Sequence, residues 1–247
     1  MEKLDTKKKA LEWLYQDELH HLMTIDLLEQ GRGDILTAGT ESLVVASDGM
    51  LLVHCLERTE WDRLLRVLRA EIAQHEYWVI KAHDEWYLQE LMDLLQVEKP
   101  RVFYNAIFPE DAAVPENLVE GLEIRPLTMK EFDYVRSLYK TVDDDEYITG
   151  RIQSGTMLGA WLGRELTGFI GTHDDGTMGL MEVDPAYRRR GIGRALEGAL
   201  VSLLRSRKRR TFGNVDASNP TARDVHQKVG AIVDDRPVYW LFTEMGH

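Results

Sequence analysis

At 247 residues the chain has room for one large or two small domains with a substantial buried core, and 44% hydrophobic with 29% charged residues is an ordinary soluble globular composition. A formal net charge of −12 argues against general affinity for nucleic acid, and no apolar run approaches the ~20 residues of a membrane span. The charged start Met1–Lys9 lacks the apolar core of a signal peptide and Cys55 stands alone, so the expected setting is a reducing cytoplasm, with no internal disulfide.

Leu11, Leu14, Tyr15, Leu22, Ile25 and Leu28 recur at helical spacing, which predicts one helix stopped by Gly31-Arg32-Gly33. Ser42–Ala46 and Met50–His54 flank Ser47-Asp48-Gly49 and read as a hairpin. A helix follows with Trp61, Leu64, Leu65, Leu68 and Ile72 on its inner face, then a strand at Tyr77–Ile80, a helix over Glu85–Leu95 and a strand at Val102–Ile107. Residues 1–110 thus form a small α/β domain, with Trp61, Trp78 and Trp86 read as its core. His20, His21, His54, His75 and His83 are scattered through it without ligand spacing, and no metal site is expected.

The acidic, proline-bounded Pro109–Asn117 has no periodicity and marks a linker, placed at residues 111–121. The second domain, 122–247, opens with a strand at Leu122–Leu127 and a helix marked by Phe132, Val135, Leu138 and Tyr139. Asp143–Glu146 begins a second short helix running towards Gly155. Met157–Leu162 and Leu166–Gly171 pair about Gly163–Glu165, and Asp174-Asp175-Gly176 turns the chain into a strand at Met178–Glu182. Then come a helix with Leu196, Ala199, Leu200, Leu203 and Leu204 on one face, a strand at Thr211–Ala217, a short helix from about Asn219 to Val229 and a strand at Val238–Phe242. The basic run Arg205–Arg210 falls at a helix end, where cations complement the dipole; a nucleic-acid role is the other reading.

Everything turns on Val183-Asp184-Pro185-Ala186-Tyr187-Arg188-Arg189-Arg190-Gly191-Ile192-Gly193-Arg194, a glycine turn between strand and helix. Gly191 and Gly193 let backbone N–H groups approach a ligand without a Cβ in the way, and the helix adds its positive end. Arg188, Arg189, Arg190 and Arg194 surround that cradle with charge suited to a diphosphate. A Walker loop needs Lys-Ser or Lys-Thr where Arg194-Ala195 stands, and a Rossmann fingerprint needs three spaced glycines; neither fits. The loop resembles the acyl-CoA loop of the GCN5-related N-acetyltransferases, Arg/Gln-x-x-Gly-x-Gly/Ala, through Arg188, Gly191 and Gly193, preceded by the family's Val-x-Pro at Val183-Asp184-Pro185. The element order of residues 122 to 243 is also the family's. Asn219, Ala222, His226, Lys228, Gly230 and Ala231 match a second family pattern, departing from it where His226 replaces a common tyrosine and Ala231 a phenylalanine. Thr177–Met181 and Tyr239–Phe242 resemble the glycine N-acyltransferase-like branch and its bacterial relatives, which carry a degenerate front half.

The resemblance implies an α/β (α+β) fold, a mixed and mostly antiparallel sheet flanked by helices, preceded by a smaller degenerate copy of the same fold. It implies acetyl-CoA as co-substrate, held by Met181, Glu182, Val183, Arg188, Arg189, Arg190, Gly191, Ile192, Gly193, Arg194, Asn219, Ala222 and His226. Acyl transfer to an amine needs a base, an oxyanion donor and an acid for the thiolate. Glu182 sits where strand alternation calls for an apolar residue, on the face of Leu180 and Met178, and is the base candidate, with Asp216 second. His226 and Tyr239 compete as the acid. The expected function is N-acetyl transfer to a small-molecule or amino-acid-like amine; the alternative is a non-catalytic acyl-CoA-binding module. Neither nucleic acid nor membrane is an expected partner, the acceptor is expected near residues 130 to 156, and monomer and homodimer both stay open.

Overall fold

The computed structural model describes residues 2–142, 144–219, 223, 226–227 and 229–243. In chain order the described elements are α1 (Glu2–Leu14), α2 (Glu18–Glu29), β1 (Asp34–Ala38), β2 (Ser42–Ser47), β3 (Met50–Cys55), α3 (Arg58–Ile72), β4 (Val79–Ala82), α4 (Leu88–Leu95) and β5 (Arg101–Ile107). They continue with β6 (Leu122–Pro126), α5 (Phe132–Leu138), α6 (Asp145–Gln153), β7 (Leu158–Leu162), β8 (Glu165–Thr172), β9 (Met178–Val183), α7 (Ile192–Ser206), β10 (Phe212–Asp216) and β11 (Ile232–Phe242). The helix expected from Asn219 to Val229 falls largely outside the described residues. Among the described residues no helix is long and apolar enough to cross a membrane.

Two units divide the chain, and neither is one continuous stretch. Met1–Asn105, Val215–Ala222 and Val233–His247 make the first; Ala106–Asn214 and Arg223–Ile232 make the second. In the first unit the strand order is β1-β2-β3-β4-β11-β5. β1, β2 and β3 are antiparallel neighbours, β4 joins β3 in parallel after the α3 crossover, and β11 lies antiparallel to β4 with Tyr239 opposite Ala82. The sequence reading assigned this last strand to the second domain. Its own residues explain the difference: Tyr239 and Leu241 are buried in one cluster with Val53, Trp61, Leu64, Ile80 and Tyr87 of the first unit.

The first helix of the sequence reading is two helices. A 3-10 turn at Tyr15–Asp17 separates α1 from α2, and the Asp17 backbone leaves helical geometry there (φ −141°, ψ 60°). Arg236 donates to the Asp17 carboxylate at 2.7 Å. Apolar periodicity runs through the break, so the sequence showed no interruption. β1 went unread for a similar reason: its five residues, Asp-Ile-Leu-Thr-Ala, lack the alternation of a half-buried strand.

In the second unit the order is β10-β9-β8-β7-β6, antiparallel except for the parallel β9/β10 pair joined through α7. Ile192, Ala195, Leu196, Leu200 and Leu204 bury one face of α7 against Leu122, Leu158, Ala160 and Ile170. A separate cluster, Leu127, Val135, Ile148, Ile152, Trp161, Phe169 and Leu180, joins α5 and α6 to the sheet. The order α1-α2-β1-β2-β3-α3-β4 repeats that of the second half from α5 to β10, without a counterpart of β6.

The proline-bounded stretch is fastened to α7. Arg205 donates to the carbonyls of Ala112 (2.9 Å) and Pro109 (2.5 Å), and a Cβ on Gly198 would lie 2.0 Å from the Pro115 carbonyl oxygen. Arg207 donates to the Gly155 carbonyl at 2.9 Å, so two cations of the basic run serve backbone oxygens. Gly198→Ala is expected to destabilise the protein by about 1–3 kcal/mol through this close approach. Urea unfolding should show a lower midpoint with an unchanged slope.

Candidate functional site

β9 is bent by a bulge before it reaches the glycine turn. Gly171 faces Gly179 and Phe169 faces Glu182, so Ile170 alone spans Leu180 and Met181. Leu180 takes up the extra residue with φ +48°, a left-handed conformation costing a non-glycine residue about 1–2 kcal/mol. The bulge corrects the face assignment: Leu180 packs with the α5/α6 cluster, whereas Met178 packs on the α7 side. Glu182, opposite Phe169, shares the α5/α6 side, and Met181 is turned out, 39% exposed.

Past the bulge β9 leaves its parallel neighbour. Among the described residues the register pair between the two strands is Gly213 opposite Met178, and none follows it. The Met181–Val183 edge therefore carries backbone groups not used in a described ladder on that side. Asp184 then caps a turn at Pro185–Tyr187 by accepting from the Ala186 N–H (2.8 Å). Arg189 (φ +61°) and Gly191 (φ +85°) are left-handed, and Gly191 is the N-cap of α7.

The first intrahelical bond of α7 runs from the Ala195 N–H to the Gly191 carbonyl (3.0 Å). Among the described residues no acceptor serves the amides of Arg189, Arg190, Gly191, Ile192, Gly193 or Arg194. The start of a helix leaves such donors unsatisfied and adds a partial positive charge, a setting made for an anion. Arg188, Arg189, Arg190 and Arg194 are exposed around it. Arg188 is fixed by donating from Nε to the Val183 carbonyl at 2.9 Å, and Arg190 lies 5.0 Å over the Tyr187 ring. Gly193 has only ordinary neighbours: a Cβ there would lie 3.9 Å from Val183 and 4.0 Å from Met181, so packing does not require a glycine at this position.

Glu182 is half-buried, and burial pushes its carboxyl above the ordinary range, with Arg188, 3.6 Å away, opposing the shift. His226 gives Nδ1 to the Glu197 Oε1 at 2.6 Å. Glu197 is 2% exposed and one turn beyond Gly193 on α7. The sequence reading did not single out Glu197. Its signal was a carboxylate inside an otherwise apolar helix stripe, between Leu196 and Leu200. Tyr134, read only as part of a helix, carries a buried hydroxyl without a partner beside Phe169. Burial, with Asp184 and Glu165 adding, pushes it up to about 12.

The remaining candidates lie elsewhere. Tyr239 is in the first unit's core; burial raises its hydroxyl, and Glu85 accepts from it. Asp216, the second-choice base, is lowered despite burial, because Ser218 and Arg101 (2.7 Å) donate to its carboxylate. That makes it a poor proton acceptor. Asn219 follows β10 in a turn, its N–H on the Asp216 carbonyl (2.9 Å), and Ala222 lies outside the described residues.

A family model described as "Acetyltransferase (GNAT) domain" matches residues 124–239. A comparison with curated proteins gives no match. Among solved structures the chain is similar to a Drosophila protein from a structural genomics consortium, at 18% identity and TM-score 0.69, covering 97% of this chain and 88% of that one. It is also similar to a GCN5-related N-acetyltransferase from Kribbella flavida, at 12% identity and TM-score 0.59, over 92% and 95% of the two chains. A tandem GNAT protein from the clavulanic acid biosynthesis pathway aligns at 13% identity and TM-score 0.54, over 96% and 94%. At these identities the likeness is one of fold.

Gly191→Ala forces a Cβ into a left-handed residue 3.3 Å from Val119 and moves the free amides. Affinity for coenzyme A, measured by calorimetry, is expected to fall at least about tenfold, which corresponds to ~1.4 kcal/mol. Unchanged affinity would place the diphosphate elsewhere.

Proposed function

We propose, from the match of residues 124–239 to a model described as "Acetyltransferase (GNAT) domain", that the protein transfers an acetyl group from acetyl-CoA to the amine of a small-molecule or amino-acid-like acceptor. The observation that carries this reading is the row of unpartnered amides from Arg189 to Arg194, following a β9 edge not used in a described ladder on its β10 side. The amides and the loop arginines hold the diphosphate. The pantetheine arm runs along the free Met181–Val183 edge and brings the thioester next to Glu182.

Transfer is direct. The amine nitrogen attacks the thioester carbonyl carbon, the C–N bond forms, and a backbone N–H of the β9 edge stabilises the tetrahedral oxyanion. Glu182 takes the amine proton, directly or through a water, and its raised pKa makes it a stronger base than an exposed glutamate. The C–S bond then breaks and the thiolate is protonated. For that step His226 is favoured over Tyr239: Glu197 orients its ring through Nδ1 and leaves Nε2 for proton exchange, whereas the Tyr239 hydroxyl is raised and engaged by Glu85. Asn219 and Ala222 rest on the family resemblance alone. The acceptor enters on the α5/α6 side, where the Tyr134 hydroxyl is open to a partner.

Free-thiol release from acetyl-CoA over a panel of amino acids, polyamines and aminoglycosides tests the activity. Measurable coenzyme A binding with silence across the panel would favour a non-catalytic acyl-CoA-binding module. With an active acceptor in hand, Glu182→Gln is expected to lower kcat by about 10²–10³ with coenzyme A affinity nearly intact. The wild-type rate falls as pH drops through the raised Glu182 pKa, because the protonated carboxyl cannot accept a proton. The variant should lose that acid limb, and an unchanged pH profile would reject Glu182 as base.

A further inference from the structure

Histidines that are far apart in the chain converge in the first unit. His20 and His21 lie on α2, His54 on β3 and His83 just past β4, and all four are buried. β3 and β4 are parallel with Val53 opposite Ala82, so the residues that follow, His54 and His83, emerge side by side with rings stacked at 3.7 Å between centroids. The His21 ring meets that of His54 at 4.8 Å and that of His83 at 5.7 Å. One ring nitrogen from each of His21, His54 and His83 lies within 4.8 Å of the other two.

These rings have nitrogen to spare, and His20 does not. His20 is spent on Asp234 (3.0 Å) and on the His83 carbonyl (2.8 Å). His83 donates from Nδ1 to the Val53 carbonyl at 3.2 Å, which leaves Nε2 as its lone-pair atom. His54 uses Nε2 on the Thr24 hydroxyl (2.8 Å), and its Nδ1 is buried without a partner. The Nδ1 of His21 is likewise buried without a partner. Buried polar atoms are normally satisfied, so two bare nitrogens in one buried histidine cluster call for something to bind. Burial holds His21 down to about 3 and the other two well below the ordinary histidine range, with neighbouring imidazoles adding, so all three present lone pairs.

We propose that His21, His54 and His83 bind one divalent transition-metal ion, zinc in the first instance, with water as the fourth ligand. Imidazole nitrogens select such ions over magnesium or calcium, which take oxygen. The Val53 carbonyl and the Thr24 hydroxyl act as the outer partners that fix ring orientation. Asp17 and Asp234 lie close enough to His21 to offset part of the added charge, against Arg236. Zinc–nitrogen bonds of ~2.0–2.1 Å bring the three nitrogens to roughly 3.4 Å apart, so the side chains close on the ion by about 1 Å. The Trp13 ring covers the cluster on one side, stacked on His21 at 5.4 Å, and Trp13 also forms part of the lining of a cavity of about 430 Å³. The ion would pin α2 to the β3/β4 pair.

The test uses the full chain without an affinity tag, stripped with a chelator, loaded with zinc sulfate and passed through gel filtration. One zinc per chain by elemental analysis is expected, and cobalt(II) in its place should give the intense visible bands of a tetrahedral site. His21→Gln, His54→Gln and His83→Gln should each weaken zinc binding at least about tenfold; His75→Gln, at an exposed position, should leave it unchanged. A wild-type chain that emerges metal-free, a cobalt spectrum of the weak octahedral type, or a His21→Gln, His54→Gln, His83→Gln triple variant that keeps wild-type affinity overturns the proposal. The cobalt spectrum needs no variant, so it decides the matter even if a substitution prevents folding.

Discussion

The second unit is arranged around a helix start that its own chain leaves unsatisfied. A buried α7 pins the geometry: its apolar face is packed against β6, β7 and β8, and the stretch Pro109–Asn117 is laid on it through Arg205 and the bare Cα of Gly198. With the helix held on both sides, its first turn cannot rotate to find acceptors, and the amides from Arg189 to Arg194 remain open. An anion held there replaces water that would otherwise solvate them, and the helix dipole and four arginines act in the same direction.

Strain lies ahead of that helix start, at both ends of the segment that leads into it. Leu180 and Arg189 are non-glycine residues in left-handed backbone, each at a cost of about 1–2 kcal/mol, and they bracket the segment that carries Glu182. Such outliers persist where surrounding structure over-determines them and concentrate at functional sites. Here the first shifts β9 by one residue, puts Glu182 opposite Phe169 and turns Met181 outward; the second helps turn the chain from β9 into α7. The carboxylate and the amide cradle are thereby set only a few residues apart along one segment, one half-buried and raised, the other exposed and positive.

Polar groups that the core of each unit keeps are not spread evenly. In the second unit they include Glu197, bonded to His226, and the open hydroxyl of Tyr134. In the first unit they include the imidazoles of α2, of β3 and just past β4, where stacked neutral rings take the place that aliphatic side chains hold elsewhere in its sheet. The first unit repeats the element order of the second, but the strand that corresponds to β9 is β3, and it leads into α3 through Leu56-Glu57 without glycines or an arginine cluster. The glycine turn and the arginine cluster belong to one repeat only.

Local chemistry was legible along the sequence wherever residues close in the chain act together. The strand–glycine turn–helix at Val183 to Leu196, the Asp48-Gly49 hairpin and the amphipathic stripe of α7 depend on periodicity and on glycine's freedom at positive φ, and each was read from composition at fixed spacing. What the tertiary structure decided depends on contacts between distant residues: Tyr239 buried with Trp61, Asp17 bound by Arg236, Glu197 beneath His226, and His21, His54 and His83 meeting from three elements. Spacing along the chain carries no information on such meetings, because the sheet's pairing, set by burial of whole strands, determines which side chains become neighbours.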